Sequence, residues 1–139
     1  MVSVKVSTLS GACLDWAVAH CEGFPILHDP MGFSNNSPSS TASGYWVWDE
    51  TWYGRKWLIG SDDYSPSRTW KTAGVIIDRE DISLLSPSET DNEQGLWTAK
   101  QKGAQFIQNG RTALESAMRV YVMSVVGESI ELPEKLISA

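Results

Sequence analysis

The chain has 139 residues, of which 42% are hydrophobic and 20% charged, and its formal net charge is −6. That length gives one domain with room for a core, and the acidic balance excludes a nucleic-acid polymer as main partner, because backbone binding needs a basic stripe. No apolar run approaches the roughly 20 residues of a membrane span, and the stretch from Met1 to Lys5 lacks the basic-then-apolar start of a signal peptide.

Val2-Ser3-Val4-Lys5-Val6 alternates with period two and predicts a strand. Residues 9–22 predict a helix with Ser10 as N-cap and Gly23 as its stop. That helix is apolar on nearly every face, so it is expected to be buried on several sides or to sit at a subunit contact. On this ground a homo-oligomer is expected. Residues 33–43 are rich in Ser, Asn and Pro and read as a flexible loop. Gly44 to Trp48 predicts a strand from its aromatic and β-branched content. Trp52, Tyr53 and Trp57 surround Gly54 near a hairpin turn. Residues 74–85 predict a second strong strand, and residues 86–95 a flexible acidic connection. Residues 96–99 predict a short strand. Thr112 and Glu115 form a capping box that starts a helix ending at Gly127. Its apolar stripe is Leu114, Met118, Tyr121, Val122 and Val125. Residues 130–133 read as a short extended tail. The expected fold is α+β: a small single domain over residues 1–139, with an antiparallel sheet of short strands and two main helices.

The residues that bear chemistry are few. Cys13 and Cys21 on one helix stand about 12 Å apart, too far for a disulfide, and read as reduced thiols of a cytosolic protein. His20, His28, Cys21 and Asp29 show no metal-ligand spacing, so no metal is expected. No nucleophile elbow or phosphate loop is present, so no catalytic residue and no enzyme activity is expected, and no cofactor either. Asp78 and Glu80, two apart on the expected strand, read as a solvated strand end. Asp15 and Arg119 each interrupt an apolar helical stretch and must find a partner, either an ion pair or a ligand.

One segment stands out. Tyr64-Ser65-Pro66-Ser67-Arg68-Thr69-Trp70 offers aromatic rings, hydroxyls, a turn and an arginine together, which suits a planar, phosphorylated ligand. It equally suits a tight corner of a small core. Between positions 55 and 79 stand five basic and three acidic residues, a local +2 in a chain that is otherwise −8. The candidate ligand-binding residues are Tyr64, Ser65, Pro66, Ser67, Arg68, Trp70, Gly74 and Arg79, with Asp15, Trp97 and Arg119 as further contacts.

Three blocks resemble the NinX-like family of tailed-phage accessory proteins. They are residues 9–19; Tyr64 to Trp70 with Gly74 and Ile76-Ile77-Asp78-Arg79-Glu80-Asp81-Ile82; and residues 117–122 with Gly127-Glu128 and Leu132-Pro133-Glu134. Arg68 departs from the pattern, which carries an acidic residue before the tryptophan. The resemblance implies a phage origin, a place in the cytoplasm of the infected bacterium, and a counter-defence role. The expected partner is a small anionic nucleotide-like signal of bacterial immunity, held without turnover. A host protein is the alternative partner, and a nucleotide-degrading enzyme the remoter one.

Overall fold

The computed structural model describes residues 1–28, 44–49, 55–90 and 93–138. Strand β1 (Val2–Lys5) leads through a short 3-10 turn into helix α1 (Gly11–Cys21). Strands β2 (Ile26–His28), β3 (Tyr45–Asp49) and β4 (Arg55–Leu58) follow, then α2 (Trp70–Arg79) and β5 (Ile82–Leu85). Strands β6 (Trp97–Gln101) and β7 (Phe106–Gly110) precede α3 (Ala113–Val126), β8 (Ser129–Leu132) and α4 (Glu134–Ser138). The fold is α+β, as expected. Among the described residues the strands form three small antiparallel sheets rather than one, ordered β1-β8, β2-β3-β4 and β5-β6-β7.

The core forms where α3 lies on the β5-β6-β7 sheet and α1 packs across α3. Leu114, Ala117, Met118, Tyr121 and Val122 of α3 are buried there, together with Leu14, Ala17 and Val18 of α1. Tyr45, Val47 and Ile59 bring the β2-β3-β4 region into the same cluster. Residues 14–19 of α1 are all buried within this one chain. Its all-round apolar character is therefore accounted for internally, and the ground for expecting a homo-oligomer falls away.

The cap of α3 is formed as read: the Glu115 N–H donates to Thr112 Oγ1 at 3.1 Å. The Glu115 carboxylate reaches one residue further back, accepting the Arg111 N–H at 3.0 Å. Gly127 ends the helix at φ +92, a left-handed value that glycine adopts without strain. Val125 does not belong to the buried stripe, since it is 52% exposed. Ser10 stands at the N-cap of α1 but makes no capping bond with its side chain.

The strand expected over residues 74–85 is corrected. Its first half is α2, and only Ile82–Leu85 is extended. Val75-Ile76-Ile77 is β-branched, which favours strands. Yet Ala73 and Ile76, three apart, are the buried pair and Val75 points outward, a helical period that packing against α3 and β5 selects. Asp78 and Glu80 therefore share no strand face. Asp78 lies within α2, and Glu80 is its C-cap. The extended tail is a paired strand, β8, and α4 follows it. The flexible loop expected at 33–43 and the hairpin turn expected near Trp52, Tyr53 and Gly54 fall on residues outside the described ones. Of the connection at 86–95, residues 86–90 form turns closed by the Glu89 and Thr90 N–H groups on the Ser86 carbonyl.

Candidate ligand-binding site at the start of the second helix

The site is built on the chain between β4 and α2. Gly60 lies at φ +87 against α1, where a Cβ would come within 3.0 Å of the Ala12 Cβ. Only glycine meets both demands. Its N–H donates to the Tyr64 carbonyl at 2.8 Å, and Ile59 bridges Tyr64 in parallel. A small loop is thus closed against α1. The chain then turns through Ser65, Pro66 and Ser67. The Arg68 and Thr69 N–H groups both donate to the Ser65 carbonyl at 3.0 Å. The Thr69 hydroxyl donates to that same carbonyl at 2.8 Å, so this N-cap residue leaves the first N–H groups of α2 uncapped by its side chain.

Asp15 ties the turn to α1. Its Oδ1 accepts the Ser67 N–H at 2.8 Å, and the residue is 1% exposed. Burial raises its carboxyl to about 6, opposed by the Ser67 bonds and the charge of Arg68. Two adjacent side chains here keep buried polar atoms without a hydrogen-bond partner among the described residues, the Tyr64 hydroxyl and Ser65 Oγ. Such atoms are uncommon in folded proteins, because each forfeits its hydration. Burial above all, then the negative charges of Glu22 and Asp15 and the neighbouring Tyr121 and Cys21, pushes the Tyr64 hydroxyl far above the usual range. On the outer side, Arg68 donates from Nη2 to the Gly60 carbonyl at 3.1 Å and lies 3.5 Å from Asp62. Trp70 opens α2 with 58% of its surface exposed.

The sequence matches the family described as Bacteriophage P22, NinX, over residues 5–125. The chain belongs to that family. No curated protein matches it. No helix among the described residues of this NinX-family protein is long and apolar enough to cross a membrane.

The NinX turn gathers Asp15, Tyr64, Ser65, Pro66, Ser67, Arg68 and Trp70. It does not gather the remaining candidates. Arg79 ends α2, about 13 Å along the axis from Trp70. There it is committed: Nη1 and Nη2 donate to Glu22 at 3.2 and 2.6 Å, and Nε to Glu80 at 2.8 Å. Its guanidinium also lies 5.7 Å from the Tyr121 ring centre. Those carboxylate bonds hold it protonated far beyond its ordinary range. Gly74 is mid-helix, with open space where a Cβ would stand, so no close backbone approach explains it. Trp97 opens β6 opposite Gly110. Arg119 braces α3 to the chain before α1 and to β7, donating to the Leu9 and Asn109 carbonyls at 2.8 Å each and pairing with Glu115 at 3.1 Å. Both belong to the α3 side of the molecule. The partner that Arg119 needed is structural, and Asp15 found a backbone amide.

Sequence reasoning missed Gly60, Glu22 and Tyr121. Gly60-Ser61-Asp62-Asp63 is a turn signal that marks the first. Nothing in the local sequence marks Glu22 as the acceptor of both Arg79 and the Tyr121 hydroxyl, the latter at 2.6 Å. Cys21 beside it is an inert thiol, pushed up to about 12 by burial and then by Glu22. Asp29 lies outside the described residues. Among those described, no three His, Cys, Asp or Glu side chains gather as a metal site.

Proposed function

We propose that this NinX-family protein is a binding module that sequesters a small anionic, nucleotide-derived signal of bacterial immunity in the cytoplasm of the infected host, without turnover. The observation that carries this reading is the exposed Trp70 ring, set beside Arg68 at the uncapped start of α2. A large aromatic ring facing solvent suits base stacking, worth roughly 1–3 kcal/mol per base. Arg68 and the leading amides of α2 are the complementary anion donors. The Ser65 hydroxyl, buried in the same turn and without a partner among the described residues, is a further hydrogen-bonding group. Sequestration acts by mass action, so affinity and copy number suffice.

The test is incubation with a panel of cyclic nucleotides and cyclic ADP-ribose isomers, followed by heat release and mass detection. Intact ligand recovered supports sequestration. Converted ligand assigns an enzyme instead. No capture favours the second reading, occupation of a host protein surface, for which the supporting observation is Val75, 65% exposed on the same helix as Trp70.

A further inference from the structure

Asp15 stands one hydrogen bond from the turn that presents Arg68 and Trp70. The bond joins residues 52 positions apart, and through Ser67 it fixes the middle of that turn onto α1. A neutral acceptor would satisfy the same amide. A carboxylate does so while bringing a charge that burial penalises. Among the described residues, the titratable and charged groups facing it are Cys13 on its own helix, and Tyr64 and Arg68 from the loop that packs on it. Of these, Arg68 alone is charged near neutrality, and Arg68 is already engaged by the Gly60 carbonyl and Asp62.

We propose that Asp15 is the positioning residue of this site and couples anion capture to the uptake of one proton. The Ser67 bond holds the turn, and an anion docked beside Arg68 converts the Asp15 carboxylate to the neutral acid. This rests on the reading of the turn as an anion site. The proton comes from solvent and no covalent bond of the ligand changes. The Arg68 charge helps keep Asp15 ionised, and an anion bound to Arg68 offsets that charge, so the Asp15 carboxyl takes up a proton more readily. Burial already raises the Asp15 carboxyl to about 6, so a push of about one unit brings it to neutrality. Affinity for an anion therefore rises as pH falls.

The experiment uses sulfate as probe, because it keeps its charge across the range. Backbone amide NMR of residues 67–72 reports binding, and carboxyl-carbon NMR reports the titration of Asp15. A rise of about one unit in the Asp15 midpoint on binding makes sulfate bind about sixfold more tightly at about pH 5.5 than at about pH 7.5. Asp15→Asn keeps the acceptor for Ser67, binds at the higher pH at least as well as the parent, and loses that pH dependence. Asp15→Ala removes the acceptor and weakens binding at both pH values. Equal pH dependence in the parent and Asp15→Asn overturns the proton coupling, as does an Asp15 midpoint that sulfate leaves unmoved. Unchanged affinity in a folded Asp15→Ala overturns the positioning role. Amides of 67–72 that ignore sulfate in the parent overturn the anion site itself, a result separate from these.

Discussion

The Asp15 carboxyl, raised to about 6 by burial above all, also makes the stability of the free protein pH-dependent. The unfolded chain releases this proton near the ordinary aspartate value of about 4, so between about pH 4 and pH 6 the folded state holds the extra proton. The stability contribution is complete below that window and is lost as pH rises through about 6. Asp15→Asn is expected to flatten this part of the profile and to melt no lower than the parent at neutral pH, as thermal scans across the window will show. Melting that drops sharply at neutral pH would mean the carboxylate charge is itself needed for the fold. Trp70→Ala has the opposite signature. Because the ring is largely exposed, the variant is expected to melt within a degree or two of the parent, whereas a buried Trp→Ala costs about 3–5 kcal/mol. It loses capture in the ligand panel all the same, and a large drop in melting temperature would return Trp70 to the core. Gly110 has no room for a methyl group. A Cβ there would stand 2.5 Å from the Ser116 N and 2.9 Å from its Cα, both backbone atoms. Gly110→Ala is expected to cost about 1–3 kcal/mol, measured by denaturant unfolding.

At the scale of elements, α2 is the most instructive. Its start carries the candidate site and its end is locked by Arg79 to Glu22 and Glu80. These two ends should respond separately. Arg79→Ala is expected to lose about 1 kcal/mol and a few degrees of melting temperature, leaving capture unchanged. Arg68→Ala is expected to keep its melting temperature and lose one to two decades of affinity, since a charge-assisted bond is worth about 1.5–3 kcal/mol. Titration calorimetry of both variants checks the pair. The sequence made α1 and α3 readable, because apolar continuity and the Thr112–Glu115 box are local signals. It made α2 misleading, because three β-branched residues in a row speak for a strand and only the packing of Ala73 and Ile76 speaks against. Strand β7 left a weak trace: Phe106 and Gln108 are half-buried while Ile107 and Asn109 face out, so the outward residues include the more apolar Ile107. The turn before it places Lys102, Gly103 and Ala104 all at positive φ, which lysine and alanine do not announce. In the site, the turn itself was legible from Ser65-Pro66-Ser67. The Ser67 amide on Asp15 was not, because that contact is long-range and written in neither segment.

For the whole molecule, two regions meet at α3. One is the α3 and β5-β6-β7 layer, where Arg119, Glu115 and Trp97 belong. The other is α1 with the β4–α2 loop, where the candidate site belongs. The site therefore rests on an internal helix rather than on a free loop, which favours a binding surface ordered before the ligand arrives.

The pairing of β1 with β8 sets a schedule for synthesis. Val2 meets Leu132 and Lys5 meets Ser129, so the first strand finds its partner only after some 130 residues have been added. At about 5–20 residues per second, β1 waits on the order of 6–26 seconds on the ribosome with its hydrogen-bonding edge unpaired. A chain cut before Ser129 leaves that edge permanently open and is expected to aggregate, as sedimentation of the expressed fragment will show. Val2 and Val4 alternate there with Ser3 and Lys5, and a charged, interrupted edge of this kind is suited to such a wait.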